Sequence, residues 1–69
     1  MKMSEPEFTN FNQVAEKAFQ AELVCSLIED HPHAFAETEV SALASLVKNL
    51  TGDVYAYMSE IIYQQENKK

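Results

Sequence analysis

The stretch VSALASLVKNLTGDVYAYMSEI, Val40 to Ile61, decides the fold. Its apolar residues Val40, Leu43, Val47, Leu50, Val54, Tyr57 and Ile61 recur at spacings of 3-4-3-4-3-4, the heptad a/d pattern. A helix with that stripe must bury one side against other helices. The chain's single glycine, Gly52, lies inside the stretch and admits a turn splitting it into two shorter helices. The heptad phase passes through Gly52 without a slip, however, and puts it at an outward f position. A continuous helix is therefore expected, at a cost of about 1 kcal/mol for the glycine.

Working outward, this second helix is expected over about residues 37–65. Glu37 and Glu39 fall in its first turn, where negative charge suits the helix dipole, and Phe35 is placed as a hydrophobic staple to Val40. Ala36 is a poor N-cap. The polar tail Glu66-Asn67-Lys68-Lys69 should fray, its two lysines suiting the negative helix end. A short link over residues 31–36 precedes the helix. Before it, Met3-Ser4-Glu5-Pro6-Glu7-Phe8 carries a complete helix start: Ser4 as N-cap, Glu7 three residues on, Met3 and Phe8 as staple, Pro6 in the first turn. A first helix is expected over about residues 5–30, although Thr9, Asn10 and Asn12 are weak helix formers that would delay its start to about Asn10. Pro32 ends it, because the residue before a proline avoids helical geometry.

In the first helix Phe11, Val14, Ala18, Ala21, Cys25 and Ile28 repeat the 3-4 spacing with mostly small side chains, which allow close helix approach. Val24 flanks that seam. A second stripe, Phe19, Leu23 and Leu27, lies well around the helix, so residues 18–28 are apolar on most sides. The apolar arc of the second helix also widens, to Leu46 on one edge and to Ala44, Tyr55, Met58 and Ile62 on the other. One hairpin gives each helix only one neighbour. The expected fold is therefore all-α: a single domain, residues 1–69, of two long antiparallel helices that dimerises into a four-helix bundle.

Length points the same way. A chain of 69 residues buries only about 60% of its unfolded surface, too little for comfortable stability alone. The lone Cys25 forms no internal disulfide, which leaves oligomerisation as the stabilising device and fits a reducing cytoplasm. No secretory leader and no membrane-spanning apolar run is visible, so a soluble cytoplasmic protein is expected. Eleven acidic against five basic residues give a net charge of −6, with the lysines scattered as Lys2, Lys17, Lys48, Lys68 and Lys69. No basic face forms from them, which excludes direct nucleic-acid binding and favours basic regions on any charged partner.

Candidate chemistry is sparse. Asp30-His31-Pro32-His33, near Glu29 and Glu37, is the one cluster with metal-ligand types, but zinc needs three or four placed ligands and the sequence reads better as a solvated turn. Cys25 reads as a small seam hydrophobe rather than a nucleophile. Glu16, Glu22, Glu29, Asp53 and Glu60 read as solvated helix faces. A chain this small is expected to lack a cleft of a few hundred Å³, so neither enzyme activity nor a cofactor or metal is expected. Tyr57 belongs to the seam and Tyr55 to its edge. Tyr63 projects from the opposite side of the second helix, as a partner contact or a plain surface residue. The stripe Phe19, Leu23 and Leu27 is open to two readings, dimer core or docking face for a target.

In size, acidity and two-helix layout the whole chain resembles the small bacteriophage-encoded accessory proteins that inhibit host factors, including the anti-quorum-sensing type that binds a transcriptional activator. The resemblance lies in architecture, so no residue role is carried over. It implies a non-catalytic module that binds and modulates an intracellular protein. Two rivals remain. One is an acidic nucleic-acid mimic or anti-defence inhibitor blocking a basic groove, against which the scatter of the carboxylates counts. The other is a regulatory subunit or antitoxin, against which the missing basic face counts.

Overall fold

The computed structural model describes residues 3–67. Two helices, α1 (Glu5–Asp30) and α2 (Glu37–Glu66), pack against each other, and there is no strand among the described residues. Phe11 lies against Tyr57, and Lys17 against Asp53, so residues rising along α1 meet residues descending along α2. The helices form an antiparallel hairpin. The bundle expected of two such hairpins is a matter of a second chain and is taken up below.

Local chemistry sets the ends. At the start of α1 the Ser4 N–H donates to Glu7 Oε1 at 2.9 Å and the Glu7 N–H donates to Ser4 Oγ at 3.3 Å, a closed capping box. That box satisfies two otherwise orphaned backbone donors, so the helix starts at Glu5 and Thr9, Asn10 and Asn12 are carried within it. The Ser4 backbone N–H, and after it the Ser4 side chain, hold the Glu7 carboxyl below its ordinary value. At the far end the His31 N–H donates to the Leu27 carbonyl at 3.1 Å, and the Ala34 N–H closes a turn onto the His31 carbonyl at 3.1 Å. Helix α2 opens with half a box. The Ala36 N–H donates to Glu39 Oε1 at 2.7 Å, and alanine has no side-chain acceptor to return the bond.

Through Gly52 the helix is unbroken. One residue earlier, the Thr51 hydroxyl donates to the Val47 carbonyl at 2.8 Å, which keeps its polar group within the helix. At the C-terminal end the Asn67 N–H and side-chain amide both donate to the Tyr63 carbonyl, at 3.1 and 2.8 Å. Lys68 and Lys69, expected to offset the negative helix end, lie outside the described residues.

Along α2 the contact line is Leu43, Val47, Leu50, Val54, Tyr57 and Ile61, all half-buried, with Val40 at its more open end. Only α1 can cover them. On α1 the covered line is Val14, Lys17, Ala21, Val24 and Ile28, again spaced 3-4-3-4. This corrects the small-residue seam: Ala18 and Cys25 are exposed, while Lys17 and Val24 take the contact positions. Lys17 fits there because its aliphatic stem lies along apolar surface and its ammonium reaches Asp53 Oδ2 at 2.8 Å. Asp53 is therefore paired rather than simply solvated. At the opposite end from Val40, towards the two termini, the Phe11 and Tyr57 rings sit 6.3 Å apart, tilted by 48°.

The hairpin is one layer of helices. Its dimensions are 52 × 21 × 15 Å, the thinnest having room for a single helix about 10–12 Å across with its side chains. Among the described residues one is buried, Ala21 at 5% exposure.

Candidate functional site

Because the helices are antiparallel, the flanks of their two contact lines combine into two broad faces, and these differ sharply. On one, Ala18, Ala21, Glu22 and Cys25 of α1 and Val47, Thr51, Val54, Tyr55 and Met58 of α2 line an open groove of about 540 Å³. Its lining is almost wholly apolar, with Glu22 the one carboxylate. The expectation that so small a chain lacks a cleft of this volume is thus corrected. The space exists because small side chains on α1 stand opposite long ones on α2. Tyr55, read as an edge residue of the seam, is 74% exposed here, and the Cys25 thiol is open on the same face.

The opposite face is the more polar one, with Leu46 of α2, 44% exposed, its large apolar residue on the Asp53 side. The Lys17–Asp53 pair crosses it, and Gln13, Glu16, Lys17 and Gln20 line a shallow depression there. An exposed ion pair contributes about 0–1 kcal/mol, so its value is in fixing the helix register more than in stability. Spacing alone admitted this line of α1 but not the pair: 14-17-21-24-28 is as regular as the all-apolar alternative, and Lys17 is its one charged member.

The third surface is the back of α1. Phe19, Leu23 and Leu27 stand there as a ridge, 60%, 48% and 47% exposed, roughly 140° around the helix from the line that meets α2. Nothing among the described residues buries them. Tyr63, 63% exposed, stands apart from this ridge on α2, so the four residues proposed as partner contacts do not form one continuous patch. Val40, Leu43, Val47, Leu50, Val54, Tyr57 and Ile61 lie on the hairpin contact line, with Val47 and Val54 also reaching the floor of the groove.

Among the described residues no three of His, Cys, Asp and Glu come together as a metal-holding group, and His31 and His33 are both exposed in the link. No helix among them is long and apolar enough to cross a membrane. Among the described residues, the titratable groups on the groove, Glu22, Cys25 and Tyr55, make no side-chain hydrogen bond to one another. Compared with protein families, with curated proteins and with solved structures, the chain matches none of them.

Proposed function

We propose that the chain is a non-catalytic protein–protein interaction module: an acidic hairpin, paired as a homodimeric antiparallel four-helix bundle, that binds and modulates or inhibits an intracellular protein. A bacterial transcriptional regulator is the target class that the resemblance in size, acidity and layout implies. One observation carries the reading. A helical pair with a single buried residue presents two separate apolar surfaces, the groove and the Phe19 ridge, more than it can cover by itself. Contiguous exposed apolar surface of this kind marks interaction sites.

Two surfaces give the module two tasks, pairing and capture. Leu23→Glu tests the second. Affinity capture from a bacterial lysate with the wild-type chain should retain a partner that the variant loses, while the variant keeps its helicity by circular dichroism, since one charge in a desolvated hot spot costs roughly 2 kcal/mol or more of binding. A variant that still captures the same partner would remove the ridge from the interface. Repeating the capture at raised salt separates the mimic reading: a phosphate mimic releases its partner steeply between low and moderate salt, an apolar interface does not.

A further inference from the structure

We infer that the groove on the Cys25–Met58 face is the surface on which a second copy of this chain packs, leaving the Phe19 ridge outside the dimer. The inference rests on the dimeric reading above and adds which face serves it.

Area is the first argument. The chain exposes 5877 Å², against about 4,400 Å² for a compact folded monomer of its 7.8 kDa mass. The excess is about 1,500 Å², and a standard specific interface removes about 800 Å² from each partner. The radius of gyration, 15.7 Å, likewise exceeds the about 11 Å of a compact domain of this length. A second layer of two helices laid on one broad face supplies what is missing, since stable domains pack at least two layers around a core.

Shape identifies the occupant. On the groove face α1 is low, carrying Ala18, Ala21 and Cys25, and α2 is high, carrying Tyr55, Met58 and, one turn on, Ile62. A two-fold operation that sets the high side of each chain into the low side of the other satisfies both copies at once, which is the self-complementarity an isologous interface requires. The other faces lack this property. Pairing through the polar face would bury Lys17, Asp53 and Glu16 at a desolvation cost. Pairing through the ridge would cover three side chains on the back of one helix and leave the groove open.

Cys25 reports on the assignment directly, because its thiol is exposed in the free hairpin and sits in the groove. The experiment labels the intact chain with a small maleimide across a concentration series, alongside light scattering for mass. At a concentration about one hundred times the dissociation constant, mass action leaves under roughly a tenth of chains unpaired, so labelling should slow about tenfold relative to dilute protein. Met58→Glu should restore fast labelling and give monomer or unfolded chain, whereas Leu23→Glu should keep both dimer mass and protection. A dimer in which Cys25 labels as fast as in dilute protein overturns the face assignment while leaving the dimeric reading intact. A chain that stays monomeric throughout overturns both.

Discussion

Helix α2 meets its neighbour along one line of side chains that is apolar from end to end; α1 meets α2 along a line that contains a lysine and leaves Ala18 and Cys25 in the open. The difference lies in how much of each circumference is apolar. On α2 the seven heptad positions admit a single contact line, and Gly52 falls well outside it. On α1 apolar residues run almost all round between Ala18 and Ile28, so two interleaved 3-4 lines compete, and the helix settles roughly 40° around from the more apolar one. A helix with one greasy stripe says where its partner is. A helix that is greasy on every side says only that it has several partners, and polar residues such as Lys17 decide which stripe meets which.

The largest effect should come from breaking the unambiguous line. Leu50→Asp puts an unpaired charge into the centre of the half-buried α2 stripe, against α1, where a partly desolvated carboxylate without a partner costs roughly 1–3 kcal/mol. Circular dichroism should show loss of most helicity. Wild-type melting would mean that Leu50 does not face α1. The α1 line is tested by charge reversal. Lys17→Glu sets two carboxylates side by side across the polar face and should destabilise by about 1 kcal/mol, with Asp53→Lys restoring much of the loss in a double-mutant cycle. Additive, near-neutral effects would place Lys17 and Asp53 apart and revive the Ala18–Cys25 line.

These two variants mark how far the chain could be read in advance. The ends of α1 were legible because capping is local chemistry: Ser4 and Glu7 are three residues apart and need nothing else. The α2 stripe was legible because its period is unbroken over 22 residues, Val40 to Ile61. The register of α1 was not, since it depends on a contact between residues 36 positions apart, Lys17 and Asp53, which no local pattern encodes. The groove went unseen for the same reason. Its volume arises from small residues of one helix facing long residues of the other, and neither set signals a cavity alone. The Phe19 ridge was visible as a stripe, but that it lies away from the hairpin contact required knowing which line of α1 meets α2.

Smaller effects sharpen the contrast between the helices. A Cβ at Gly52 meets nothing within 4 Å, so Gly52→Ala should stabilise α2 by up to about 1 kcal/mol, read as a higher melting temperature. A lower one would indicate a bend that the glycine permits. The smallest effect concerns the cap of α1. Glu7 is held below its unfolded pKa by the Ser4 bonds, so its contribution is full above the unfolded value and is lost as pH falls through the folded one. Melting temperature followed from neutral to acid pH should show a slightly steeper fall for the wild type than for Glu7→Gln, which keeps the cap without the titration. Identical slopes would mean that the box is not formed in solution.

The proposal that the hairpin is half of a larger object is tested most directly by its mass in solution. Light scattering on the size-exclusion peak of the full chain at micromolar concentration should return twice the 7.8 kDa chain mass. A value of 7.8 kDa that persists as the protein is concentrated would contradict the account.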